Sequence, residues 1–238
     1  MTSPLTANRF ITPELVLDAY EQGLFPMANE HGEIGFYMYE PRGIVPLDDR
    51  FTIRRSLRQV LKKKKYRVTF DTAPLEILRG CSRAGLVTPV KMWLSDELIE
   101  HYFRLFEAGR MHTVEVWKVA DSGRVGSGQS IAETNFPLST SSLSTSSPST
   151  SSLSTTLVGG LYGLTFGAVF CGESMFSRED YASQIALVHL VDRLRNKGFR
   201  ILDAQMPSDH LRQFGLYEMS QHDYLELFRE AAVAHVSF

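Results

Sequence analysis

LVGGLYGLTFGAVFCGESMFS, residues 157–177, decides how this chain is read. Its two halves are apolar, rich in branched and aromatic residues, and separated by Gly167, the pattern of two strands joined by a turn. Working outward, residues 181–197 read as a helix closed by Gly198, FRILDAQ (199–205) as a further strand, and 208–215 and 220–234 as helices. On the other side, HTVEVWKV (112–119) alternates as a strand does. It follows a helix at 95–108 that starts on Ser95 as N-cap and stops at Gly109. Strand, strand, helix, strand, helix predicts an α/β or α+β sheet domain from about residue 95 onward.

The first part of the chain is organised differently. TPELVLDAYEQ (12–22) predicts a helix with Thr12 as N-cap and Pro13 at its first position. Gly23 ends it, and GLFPM reads as a loop. Residues 52–65, TIRRSLRQVLKKKK, form the clearest amphipathic pattern: Ile53, Leu57, Val60 and Leu61 on one side, basic residues on the other. The strand YRVTF (66–70) and a helix at 73–79 follow. Residues 138–156, LSTSSLSTSSPSTSSLSTT, repeat every five residues and have too little apolar surface to repay ordering. Lying between two strands, the tract reads as an insertion in a hairpin loop, which costs little because loop entropy grows only logarithmically; a mucin-like stalk is the rival reading.

The net charge of −2 conceals an uneven layout. From Arg42 to Arg67 there are ten Lys/Arg against Asp48 and Asp49, a local +8 that leaves −10 for the remainder. A polyanion on one face and a cationic ligand elsewhere suit that division. Only Cys81 and Cys171 are present, too few for a disulfide framework and without metal-ligand spacing. The N-terminus shows no leader pattern, and no apolar run approaches the ~18 residues of a membrane span. A soluble, cytoplasmic protein without metal or cofactor is expected.

Three stretches carry candidate chemistry. In a regular strand Val169, Cys171, Glu173, Met175 and Ser177 share one face, and Gly172 invites a bulge. Glu173 is an acid in an apolar strand, a costly placement unless it is paired with Arg178 or a backbone amide, or put to use. In ILDAQ, alternation places Ile201, Asp203 and Gln205 together, an acid and an amide able to bond each other and reach one ligand. The basic residues Arg54, Arg55, Arg58, Lys62, Lys63, Lys64 and Lys65, with Tyr37, Tyr39, Tyr66 and Trp93 near them in sequence, suit a single-stranded RNA end. Cys171 lacks a local base and reads as a packed thiol; His210 reads as a surface or helix-terminal residue. HExxH, GxxxxGK[ST] and GxGxxG are absent.

Taken in order, GLFP (23–26), YEPRG (39–43), HTVEVW (112–117), VGGLYG (158–163), FCGESMFSR (170–178) and LDAQ (202–205) with Asp209–His210 resemble the leucyl/phenylalanyl-tRNA–protein transferases. The resemblance spans about Phe10 to Phe228, interrupted by the Ser/Thr tract. It implies transfer of Leu or Phe, with Met tolerated, from aminoacyl-tRNA to proteins beginning with Arg or Lys, which marks them for degradation. It implies a GNAT-like acyltransferase domain at 71–238, carrying the insertion at about 127–156, behind a smaller N-terminal α/β domain at 1–70. Gln205 would accept a hydrogen bond from the attacking amine, Asp203 would polarise and orient Gln205, and Glu173 would face the cationic acceptor. Leu161, Phe170, Met175, Leu187, Leu190, Leu194 and Leu202 would form the donor side-chain pocket. Trp117 and Tyr37, the latter where a tryptophan is common, would stack on the tRNA's 3′ adenosine. The rivals are an acyl-CoA-dependent GNAT enzyme, for which no [QR]xxGx[GA] loop is present, an aminoacyl-tRNA enzyme with a cell-wall acceptor, and a non-catalytic tRNA-binding module.

Overall fold

Residues 157–177 form the expected hairpin: β6 (Thr155–Phe166) and β7 (Val169–Ser177) run antiparallel. Gly167 turns between them at φ +53, and a Cβ there would lie 2.2 Å from the Ala232 carbonyl oxygen, so glycine is required twice over. The computed structural model describes residues 11–28, 31, 33–84, 94–119 and 155–238. β4 (Tyr66–Phe70) and β5 (Met111–Val119) extend the sheet antiparallel beyond β6. On the other side β7 passes through α5 (Ala182–Lys197) to β8 (Ile201–Asp203), which pairs with it in parallel. β3 (Arg42–Val45) and β9 (Tyr217–Met219) complete a seven-stranded sheet of order β4-β5-β6-β7-β8-β3-β9.

Both faces of the sheet are covered. One packs against α1 (Pro13–Glu21), α3 (Pro74–Ala84), α4 (Asp96–Glu107) and α7 (Gln221–Ala232) through Tyr20, Ile77, Leu98, Tyr102 and Phe228. The other packs against α2 (Arg55–Lys62) and α5 through Leu57, Ile185, Leu187, Leu190 and Leu194. Adjacent glycines in β6 serve one layer each. A Cβ at Gly160 would meet Ile77 of α3 at 2.3 Å, and one at Gly159 would meet Ala182 of α5 at 2.5 Å. The glycine run of the sequence is therefore a packing device.

The parallel pairing of β7 with β8 covers only Val169, Phe170 and Cys171 against Ile201, Leu202 and Asp203. β7 then continues to Ser177 with, among the described residues, no strand beside it on that flank. The two strands part company just before Glu173 and Gln205.

Several boundaries differ from expectation. GLFPM is not all loop: β1 (Phe25–Ala28) pairs with β2 (Ile34–Tyr37) in a small separate hairpin. The basic helix is shorter than 52–65, since Arg54 is extended and Lys64 turns into the left-handed region at φ 48. The helix expected at 73–79 runs to Ala84, and the one at 208–215 has four residues, Asp209–Arg212 (α6). The division at residue 70 runs through one sheet, because β3 and β4 come from the first 70 residues and pair with later strands. Of the 127–156 insertion, Thr155 and Thr156 open β6, and the remainder lies outside the described residues, as does Trp93. β5 and β6, the strands on either side of this segment, are antiparallel neighbours. Among the described residues no helix is long and apolar enough to cross a membrane.

Candidate active site

Gly172 does introduce a bulge. In the β6–β7 ladder Tyr162 faces Ser174 and Gly163 faces Gly172, which leaves Glu173 as the extra residue. The bulge reverses the alternation. Val169, Cys171 and Phe176 pack on the α1/α3/α4/α7 face, whereas Phe170 and Met175 pack towards α5. Cys171 and Met175 therefore do not share a face, as a regular strand would require.

Released from the ladder, Glu173 is half-buried and held by three donors. Gln205 Nε2 donates to its Oε1 at 2.9 Å; the hydroxyls of Tyr20 and Tyr102 donate to its Oε2 at 2.5 and 3.0 Å. Neither Arg178 nor a backbone amide is its partner: Arg178 Nη1 donates to the Leu157 carbonyl. Burial pushes the Glu173 carboxyl up to about 7, against the opposing pull of the tyrosine hydrogen bonds. Burial together with the neighbouring carboxylate holds both phenols well above their ordinary value, so they remain donors. Tyr20 and Tyr102 come from α1 and α4 and were not singled out by the sequence. A tyrosine on the inner side of an amphipathic helix looks like core until its hydroxyl's partner is known.

Gln205 reaches Glu173 by a different route from simple alternation. β8 ends at Asp203, and Gln205 adopts φ 52. Asp203 holds that turn: its Oδ1 accepts the Gln205 backbone N–H at 2.8 Å, and β3 clamps it further through the Gly43 N–H to the Gln205 carbonyl at 2.9 Å. The contact between the acid and the amide residue is thus to the backbone, not to the side-chain amide.

Asp203 itself is fully buried and saturated. Arg42 Nε and Nη2 donate to its two oxygens at 3.0 and 2.7 Å, and Tyr224 adds a bond at 2.9 Å. Arg42 is also fully buried. Its remaining Nη1 donates to the Gly23 carbonyl at 2.9 Å, and its guanidinium lies 4.5 Å over the Tyr224 ring. Burial works to lower the Arg42 pKa, but the Asp203 carboxylate overrides it and holds the group above its ordinary value. The GLFP and YEPRG stretches meet at this ion pair.

Beside Glu173 opens a cavity of about 260 Å³. Leu161, Met175, Leu187, Leu190 and Leu202 line it, with Val45, Gly172, Ala204, His210 and Leu211. Phe170 and Leu194, the other two expected pocket residues, are buried in the same cluster but do not line the cavity. His210 is exposed at the rim, on α6, as expected for a helix-terminal residue. An open polar groove of about 780 Å³ shares His210 with the cavity and is lined by Lys63, Lys65, Tyr66, Ser177, Arg178 and Glu179. A third hollow, about 520 Å³ between α2 and α5, is larger than the cavity but shares no residue with it.

Arg54, Arg55, Arg58, Lys62, Lys63, Lys64 and Lys65 are all exposed, and none makes an ion pair with a described residue. Trp117, half-buried on β5, donates its indole N–H to Thr69 Oγ1 at 2.7 Å. Tyr37, half-buried at the end of β2, has no ring contact with Trp117. Cys171 is buried, and burial pushes its thiol well above the ordinary range, as suits packing. Among the described residues the one grouping with metal-ligand spacing is the exposed trio His222, Asp223 and Glu226 on α7, none of which lines the cavity.

The family model described as leucyl/phenylalanyl-tRNA protein transferase matches residues 44–150 and 147–229, and that of its N-terminal domain matches 11–38. Three curated relatives bear the name leucyl/phenylalanyl-tRNA–protein transferase. The one from Akkermansia muciniphila is 40% identical over 225 residues, covering 94% of this chain and 97% of its own length. The one from Paramagnetospirillum magneticum is 38% identical over 94% and 90%. The one from Herpetosiphon aurantiacus is 34% identical over 96% and 98%.

Proposed function

The chain belongs to the leucyl/phenylalanyl-tRNA–protein transferase family, an aminoacyltransferase acting from tRNA on protein N-termini, and from that premise we propose that it joins Leu or Phe to acceptors beginning with Arg or Lys. The observation that carries the acceptor choice is Glu173, a carboxylate lodged at the mouth of a leucine-lined cavity. The apolar cavity takes the donor side chain, and the acid takes the acceptor's cation. Met is admitted as a weaker donor, since apolar pockets separate such side chains by only ~1–3 kcal/mol per methylene.

The reaction is aminolysis of an ester. The acceptor α-nitrogen attacks the aminoacyl carbonyl carbon, the bond to the ribose 3′ oxygen breaks, and the proton lost from nitrogen ends on that oxygen or on solvent. The ester is already activated, and an α-amine with pKa near 7.7–8 is partly neutral at physiological pH, so positioning supplies much of the rate. Because Gln205 donates its Nε2 to Glu173, its side-chain carbonyl is left to accept from the attacking amine. Asp203 acts on Gln205 by fixing its turn. A GNAT-like reading is supported by the parallel strands β7 and β8 separating beside this cavity.

The exposed cations of α2 and the groove that runs from Lys63 and Lys65 to His210 support entry of the tRNA's acceptor end from that side, with Trp117 and Tyr37 as stacking platforms for its terminal adenosine. Replacing Lys62–Lys65 by glutamates is expected to weaken aminoacyl-tRNA binding at least about tenfold and to flatten its dependence on salt, read by filter binding across a salt series. Unchanged affinity and slope would leave the Lys62–Lys65 run as a solvated surface.

The deciding assay mixes radiolabelled Leu-tRNA with a peptide beginning with Arg, without ATP. A Leu-extended product is expected, with poor transfer to peptides beginning with Asp or Ala. Equal transfer to all three would remove the role given to Glu173, and tRNA binding without transfer would leave a binding module.

A further inference from the structure

Glu115 is fully buried on β5, yet among the described residues it has no charged partner. Its Oε1 accepts the backbone N–H groups of Thr72 and Ala73 at 3.2 and 3.3 Å and the hydroxyl of Thr113. Its Oε2 accepts the hydroxyls of Thr69 and Thr72 at 2.6 and 2.9 Å. The first set ties β5 to the turn that leads into α3. The second does something more specific, because Thr69 is also the acceptor for the Trp117 indole N–H at 2.7 Å.

The polarity of this chain is fixed by what each group can do. A carboxylate only accepts, an indole N–H only donates, and a hydroxyl has one proton. With its proton drawn to Glu115, the Thr69 oxygen turns a lone pair towards the indole. Thr72 Oγ1 lies 2.6 Å from Thr69 Oγ1 and also reaches Glu115, so the Thr69 proton goes to Glu115 directly or by way of Thr72, and either way the chain runs from the indole through Thr69 to Glu115. The cross-strand register, Thr69 opposite Glu115 and Arg67 opposite Trp117, keeps all three residues within reach.

We propose that Glu115, acting through Thr69, is a positioning residue that fixes the Trp117 indole for stacking on the terminal adenosine of the aminoacyl-tRNA. The proposal rests on the reading of Trp117 as that stacking platform. Neither Glu115 nor Thr69 touches substrate in it.

Thr69→Val removes the hydroxyl while keeping the side-chain shape. It is expected to raise KM for aminoacyl-tRNA about fivefold, the loss of one buried hydrogen bond, with kcat within about twofold. In a Trp93→Phe background, which leaves Trp117 as the single tryptophan, its emission should shift. Thr69→Ser should restore both. Glu115→Gln should raise KM when Thr69 is present and add nothing when Val stands at 69. If Thr69→Val leaves KM and emission at the parental values while Trp117→Ala raises KM, the positioning role fails and the stacking reading survives. If Trp117→Ala has no effect on KM, the stacking reading fails and takes this proposal with it. If Glu115→Gln raises KM equally on both backgrounds, Glu115 does not act through Thr69. Should Glu115→Gln fail to fold, the Val and Ser variants still decide the Thr69 step.

Discussion

Glu173→Gln is expected to lower kcat/KM for a peptide beginning with Arg about a hundredfold, while KM for aminoacyl-tRNA changes by no more than about threefold. The first figure is the loss of about 3 kcal/mol for a half-buried carboxylate that pairs with the acceptor's cation. The second follows because the leucine-lined cavity and the α2 cations are untouched. Stability should move the other way. The carboxyl titrates near 7 in the fold, against an ordinary value near 4.5, so the fold favours its protonated form. That contribution is fully present below about pH 4.5 and is lost as pH rises through about 7, on the order of 3 kcal/mol. The amide variant, which does not titrate, should therefore gain stability over the parent as the pH is raised from 5 to 8, read by denaturant melts.

Activity has the opposite pH sense. Glu173 must be ionised to attract a cation, and the acceptor amine must be neutral to attack. Below about pH 6.5 the logarithm of kcat/KM should rise with pH at a slope near two in the parent and near one in Glu173→Gln, since kcat/KM reports the free enzyme and free substrate. Equal slopes would mean that Glu173 does not titrate in the step that selects the acceptor.

How far the sequence carried this site depends on the kind of signal each residue gives. Strand β5 was legible from its alternation, and β6, β7 and helix α5 from apolar patterns bounded by glycines that the fold uses at φ +53 and φ +85. Glu173 stood out because an acid in an apolar strand is anomalous. Tyr20 and Tyr102 gave no such signal, since a helix-borne phenol is ordinary core material. Of the four-residue strands, β1 read as loop and β2 and β3 were assigned no element, because so short a run has too few residues to show a period. Arg42 was counted as one basic residue among ten and stood inside YEPRG with no role of its own. Its burial depends on β3 entering the sheet between β8 and β9, a pairing across some 160 positions that no local pattern announces. The turn at Gln205 was missed because alternation was extended beyond the end of β8; an acid two residues before the amide is also the pattern of an Asx turn.

That buried pair sets the second large effect. Arg42→Leu is expected to destabilise the chain by about 3–5 kcal/mol, because it leaves the Asp203 carboxylate buried without its counter-charge. At roughly 2–4 °C per kcal/mol for a chain of this size, the melting temperature should fall by about 10 °C. Asp203→Leu should cost a similar amount for the mirror reason. The double variant Arg42→Leu/Asp203→Leu should recover a good part of the loss, since apolar replacement of a buried pair is often neutral or better. Transfer activity should not recover with it. With Leu at 203 the Gln205 N–H loses its side-chain acceptor, and only the Gly43 clamp on its carbonyl is left to hold the φ of 52 that points its amide at Glu173. Melts and transfer rates measured on the same three proteins thus separate two roles that a single Asp203 substitution confounds. A double variant that regained both stability and full transfer would show that Gln205 keeps its place without Asp203, and the positioning role would be withdrawn. A double variant that stayed as unstable as either single change would mean that the two charges are not the reason the pair matters to the fold.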